Sequence, residues 1–281
     1  MKKFFLFLLL IITPIFFSEA NASLKVTPTI LELNANETKS NYITASFDVQ
    51  GDKDETIRFK IYPSYFKISP QGTMDVIEEN TEEKANLIKN VRFVPNEFTL
   101  QNGNKQKVRL TITNLKNIPD GESRMVLFLE DVAAKELILP SGMKDVTTKL
   151  IVKTRVGIPI YLDKGKFIKC ANIEKIDLKK QNKELQIDLK LTSSGNSKVR
   201  YNGKAQIIKG EELISEHKIK NHVIGSNNHI TTTEKIPLDS IKTNGEYTLR
   251  LVIQYTNEKG HLKSLIEENQ FTVDNLSDTN I

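Results

Sequence analysis

A single cysteine, Cys170, and no tryptophan stand in this chain of 281 residues. One thiol excludes any internal disulfide, so the fold must be held by packing alone. With nothing beside it that resembles a general base, Cys170 reads as a small buried apolar residue. Without tryptophan, a sugar-stacking platform would have to use scattered Tyr and Phe. No dinucleotide glycine pattern, phosphate-cradling loop or G-x-S-x-G elbow occurs. His217, His222, His229 and His261 follow no zinc-ligand spacing, and no metal or other cofactor is expected. Charge of one sign is lacking too: 40 Lys and Arg face 35 Asp and Glu, a net of +5. The positives alternate with acids, as in Asp52-Lys53-Asp54-Glu55, which argues against a nucleic-acid partner. After residue 22 no apolar run approaches the roughly 20 residues of a membrane span, so no membrane insertion is expected.

What is present starts with an export signal. Lys2 and Lys3 precede the apolar stretch Phe4–Phe17, and Ala20-Asn21-Ala22 supplies a small-x-small cleavage site. Residues 1–22 read as a secretory signal peptide, and the mature chain is expected to start near Ser23. The 259 residues that follow suit two domains of ordinary size. Almost every segment alternates apolar and polar residues with period two, the mark of half-buried strands. Tyr42–Val49 places Ile43, Ala45, Phe47 and Val49 on one face. Ile57–Tyr62, 91–94, 106–113, 124–130 and 148–162 continue the series. Asn102-Gly103-Asn104 and Pro119-Asp120-Gly121 are turn chemistry. The acidic stretch 75–90 reads as an exposed connection. A polar, glycine-containing break at Leu162–Lys166 divides a first sandwich, 23–163, from a second, 164–273. The latter is read from about seven strands, with Leu185–Leu191 and Tyr247–Tyr255 the clearest. Residues 274–281 read as a disordered tail. The fold class is all-β: two immunoglobulin-like sandwiches in tandem.

Residues 91–132 carry a more specific signal. Pro95, Phe98, Leu100, Gly103, Gln106 and Arg109 stand in order, followed by Pro119-Asp120-Gly121-Glu122-Ser123 and the apolar strand Met125–Leu129. This arrangement resembles the first domain of the periplasmic pilus (fimbrial) chaperones of the PapD type. The resemblance covers roughly 24–163; over 164–273 it rests on architecture, with Ser194-Gly195-Asn196 and the strand after it. It implies an exported, periplasmic, noncatalytic protein without cofactors. Such a protein holds pilus-like subunits by lending a β-strand and delivers them to an outer-membrane usher. The other reading of the residues is an exported structural or adhesive binding module.

The lent strand is expected within Thr148–Leu162. One face, Leu150, Val152, Thr154, Val156, Ile158, Ile160 and Leu162, is expected to cover the protein's own core. The other, with Ile151, Lys153 and Arg155, is expected to meet the subunit. Lys153 and Arg155 interrupt its apolar character, and Leu137 and Leu139 upstream are expected to supply apolar plugs. The basic pair with which the family grips a subunit carboxylate falls here on Val26–Ile30 and Gly157, which carry no cation. The resemblance places Glu122 in an interdomain salt bridge, with Tyr161 at its partner's position.

Overall fold

A computed structural model describes residues 24–77, 83–133, 135–140, 147–181 and 183–274. The expected signal peptide and the tail beyond Asp274 lie outside the described residues, where no helix is long and apolar enough to cross a membrane.

Twelve strands form the first half: β1 (Leu24–Thr27), β2 (Leu31–Asn34), β3 (Tyr42–Gly51), β4 (Ile57–Ile68), β5 (Met74–Ile77), β6 (Val91–Val94), β7 (Glu97–Leu100), β8 (Lys105–Thr113), β9 (Gly121–Asp131), β10 (Lys135–Pro140), β11 (Thr147–Val152) and β12 (Arg155–Lys164). One sheet has the order β1-β3-β8-β6; the facing sheet runs β2-β12-β9-β4-β5, with β7 also on β4. This is the two-sheet order of an immunoglobulin-type sandwich. The opening segment is divided between the two sheets. β1 pairs antiparallel with β3, whereas β2 pairs parallel with β12, and Pro28 lies between them. Proline has no N–H to continue a ladder, so the chain changes sheets there.

Alternation drives the core. Phe47 and Val49 of β3, Val108, Leu110 and Ile112 of β8, and Leu127, Leu129, Ile158 and Ile160 of the facing sheet are all fully enclosed. In β9 all five residues from Met125 to Leu129 are buried, because both faces are covered. Met125, Leu127 and Leu129 fill the sandwich, while Val126 and Phe128 join Phe66, Ile68 and Tyr161 in a second cluster on the outer face of the sheet.

The second half has seven strands: β13 (Ala171–Gln181), β14 (Glu184–Ser193), β15 (Val199–Lys209), β16 (Glu212–Ile224), β17 (His229–Pro237), β18 (Gly245–Thr256) and β19 (Leu262–Val273). They form the sheets β13-β14-β17 and β16-β15-β18-β19 around a separate core built on Leu189, Leu191, Ile207, Leu249 and Leu251.

Three expectations need correction. Residues 85–90 are not simply an exposed connection: Leu87 is buried, and Ala85 and Leu87 hydrogen-bond the backbone of Arg124. An apolar side chain drawn into the core pulls that backbone alongside β9. Cys170 is only half-buried, since it precedes the inward-facing Ala171 at the mouth of the second core. The strand expected over 148–162 is broken at Lys153–Thr154. β11 pairs only with β10, in a two-stranded ladder, and β12 takes up the main sheet.

Candidate functional site

Two places concentrate unusual chemistry. The first is the edge formed by β11 and the start of β12. Asp131 N donates to Thr154 O at 3.0 Å, which fixes the phase of the β9–β12 ladder. In an antiparallel pair successive residues point their backbone groups to opposite sides. Val156, Ile158 and Ile160 therefore bond β9, and Arg155, Gly157 and Pro159 present theirs to the other side. There β2 covers only Ile160–Asp163. Among the described residues no strand pairs the outer side of Arg155–Pro159 or the free side of β11. Pro159, which has no N–H to offer, stands where a missing donor leaves no gap in the ladder to β9.

Side chains along this edge differ from the expected division. Leu150 is 45% exposed and Val152 36%, so neither covers the core; only Ile158, Ile160 and Leu162 of that row are enclosed. The cause is the break at Lys153–Thr154, which carries β11 off the sandwich. Ile151 is 62% exposed. Lys153 and Arg155 are exposed but not isolated. Lys153 Nζ lies 3.8 Å from Glu130 Oε1, and the Arg155 guanidinium stacks 4.5 Å from the Phe128 ring centroid. Glu130 also accepts the Tyr62 hydroxyl at 2.7 Å. Burial and that carboxylate push the Tyr62 phenol above its ordinary pKa. Register sets Leu137 opposite Leu150 and Leu139 opposite Thr148. The side chains of Leu137 and Leu139 lie outside the described residues.

The second place is the seam between the sandwiches. Glu122, at the start of β9, has a side chain with no exposed surface. Its Oε1 accepts from Arg124 Nη1 at 2.8 Å, and its Oε2 accepts from the backbone N of Lys198 at 2.8 Å. Lys198 Nζ lies 3.7 Å from Glu122 Oε2, 3.4 Å from Glu32 Oε1 and 3.9 Å from the Tyr161 ring centroid. Arg200 Nε donates to the same Glu32 oxygen at 2.6 Å. Beside this cluster Ser197 Oγ donates to Asp163 at 2.7 Å, and Lys169 Nζ pairs with Asp163 at 2.9 Å.

Each charge here is compensated, as burial demands. Burial opposes the charge of Arg124, but Glu122 and Tyr65 together more than offset it and the guanidinium pKa rises. Burial alone would raise the Glu32 carboxyl; Lys198 and then Arg200 outweigh it and hold it below its usual value. Tyr161 is pushed up to about 12, first by burial and then by the Glu122 charge. Backbone bonds complete the seam: Glu122 N to Asn196 O at 2.9 Å, and Thr231 N to Pro70 O at 2.7 Å.

The structure thus groups Ile151, Lys153 and Arg155 on one edge and Glu122 with Tyr161 at the seam, apart from that edge. Sequence reasoning passed over Lys198, Arg200, Arg124, Glu32 and Asp163. The signal for two of them was present: Lys198 and Arg200 follow the Ser-Gly-Asn turn with the spacing of one strand face.

Among solved structures, the chain is similar to the class 5 fimbriae chaperone CfaA, at 13% identity over 88% of this chain and 98% of that one, with a TM-score of 0.44. It is similar to a chain of the chaperone–tip adhesin complex of CFA/I fimbriae, at 13% identity over 86% and 98%, TM-score 0.43. It is also similar to the Pseudomonas aeruginosa CupB2 chaperone, at 9% identity over 86% and 98%, TM-score 0.41. No family model matches the chain, and no curated protein matches it.

Proposed function

We propose that this chain is a noncatalytic carrier of β-rich subunits of the pilus type, working by strand addition along β11 and the first half of β12. The observation that carries this reading is the unpaired edge at Arg155–Pro159, continued by exposed Leu150, Ile151 and Val152. Proteins ordinarily cover or charge such an edge, because it templates pairing with another chain. An edge left bare with three consecutive outward apolar residues suits an incoming strand that supplies both backbone partners and pockets. Each aliphatic side chain contributes about 1.5–3 kcal/mol on full burial. The cations beside it need not be desolvated bare, since Glu130 and the Phe128 face already attend Lys153 and Arg155.

An incoming strand would lie in line with β2, which already occupies the same side of β12 further along. Leu137 and Leu139 belong to the same ladder through their register with β11 and are assigned to subunit contact with Ile151, Lys153 and Arg155. Glu122, with Tyr161 packed beside it, holds the second sandwich against the first. Export to the periplasm and delivery to an outer-membrane usher belong to the same reading.

Co-expression with a subunit that lacks its final strand tests it. The wild-type chain should copurify with such a subunit. The double variant Leu150→Asp and Val152→Asp should lose it while keeping the wild-type thermal transition, because both residues are exposed. Equal capture by that variant would sink strand addition through β11 and leave the exported adhesive module standing.

A further inference from the structure

The outer face of the first sheet, opposite in the sandwich to the sheet of the donor edge, carries an unbalanced charge. Register and burial place Lys25 of β1, Lys105, Lys107 and Arg109 of β8, and Arg92 of β6 on this face. Its four strands set one carboxylate among them, Asp48, and that is bound to Lys107 at 2.9 Å. Among the described residues Arg92 and Arg109 have no ion-pair partner. Between them lies a groove of about 500 Å³, lined by Arg92, Val94, Pro95, Lys107, Arg109 and Thr111. Val94 at its rim is 70% exposed. In a chain whose positives and negatives otherwise nearly cancel, this is a concentrated field.

We propose that this groove binds an extended acidic peptide segment of a partner protein, one that bears carboxylates at alternate positions. Geometry selects that chemistry. Arg92 stands opposite Thr111, and Arg109 stands opposite Val94. The two arginines are therefore diagonal neighbours on adjacent strands, roughly 7 Å apart at the backbone. Residues i and i+2 of an extended chain are also separated by about 7 Å and point the same way. Two planar guanidiniums at that spacing can each take a carboxylate in a bidentate pair. Val94 offers an apolar contact beside them, and the Thr44–Thr111 hydroxyl pair at 3.0 Å continues the row with neutral hydrogen-bonding groups. The concave groove, closed on one side by Pro95, suits a narrow chain better than a flat sheet of lipid headgroups. Because this face and the β11–β12 edge belong to different sheets, both partners can be held at once.

The test uses the full mature chain and a fluorescent eight-residue peptide alternating Glu and Thr. The control is a peptide of the same composition with its glutamates in one block. Binding should favour the alternating peptide several-fold and weaken steeply with added salt. Arg92→Glu with Arg109→Glu should reduce it about tenfold or more, and Arg92→Lys with Arg109→Lys should reduce it less. Subunit capture by the charge-reversed variant should be unchanged, which separates this site from the donor edge. Three results overturn the proposal: equal binding of both peptides, full binding by the charge-reversed variant, or binding to phosphatidylglycerol vesicles with none to the alternating peptide.

Discussion

Replacing Glu122 tests whether the seam binds the two sandwiches into one cooperative unit. Glu122→Ala removes a fully enclosed carboxylate that accepts from Arg124 Nη1 and from the Lys198 backbone, each at 2.8 Å. It also leaves two buried cations without their shared counter-charge, since the Arg124 side chain is 12% exposed and that of Lys198 3%. Hydrogen bonds to charged groups contribute about 1.5–3 kcal/mol each, and removing one partner of a buried pair costs about 3–5 kcal/mol. These figures overlap in what they count, so the expected loss is about 4 kcal/mol. Glu122→Gln keeps the shape and one acceptor and should lose about half as much. Lys198→Met should show a coupling with Glu122→Ala of about 1–3 kcal/mol, because Glu32 at the surface can rehydrate when Lys198 is gone. Calorimetry is the suitable assay, since two sandwiches need not unfold together. The wild type should give one endotherm, and Glu122→Ala should split it. A loss below about 1 kcal/mol with an unsplit endotherm would refute the idea that this carboxylate joins the halves.

Other outcomes follow from single contacts. Ile160→Ala, at a fully enclosed position of β12, should destabilise the first sandwich by about 2–5 kcal/mol in urea titration, and a loss under 1 would place Ile160 outside the core. Gly195→Ala forces a Cβ against the Ile168 carbonyl, a backbone atom that cannot swing away, and should cost about 1–3 kcal/mol by the same measurement. Asp188 is held down at about 2 from an ordinary 3.8, chiefly by the Lys179 ammonium and then by the Thr233 hydroxyl. Its depressed value contributes stability above pH 3.8 that is lost as pH falls through 2. Lys179 is 58% exposed, so screening limits the effect of Asp188→Asn to about 1 kcal/mol or less at pH 7. That difference should vanish near pH 2; a gap that persists there would rule out the linkage.

Much of the fold was legible because period two is a local property. Ile43–Val49 and Leu185–Leu191 declare a buried face without reference to any partner. β17 is hard to read from sequence because its inward row is Ile230, Thr232, Glu234 and Ile236, and the two polar members hide the alternation although both are buried. Glu234 is tolerated there because its Oε1 accepts from Lys220 N at 3.3 Å on the neighbouring sheet. β16 is hidden for a different reason: as an edge strand it buries only Ile219 and Ile224 and needs no apolar period.

Alternation, turn residues and the order of motifs were enough to establish an all-β chain of two sandwiches, since each depends on neighbours in sequence. Which edge stays bare, where the strand after β10 leaves the sandwich, and what surrounds Glu122 depend on residues brought from far along the chain. The charged face makes the same point. Lys105, Lys107 and Arg109 are separated in sequence by Gln106 and the buried Val108, and Arg92 and Lys25 lie on other strands. Only sheet pairing stacks these five on one side, because a strand sends alternate side chains to opposite faces and its partners align the rows.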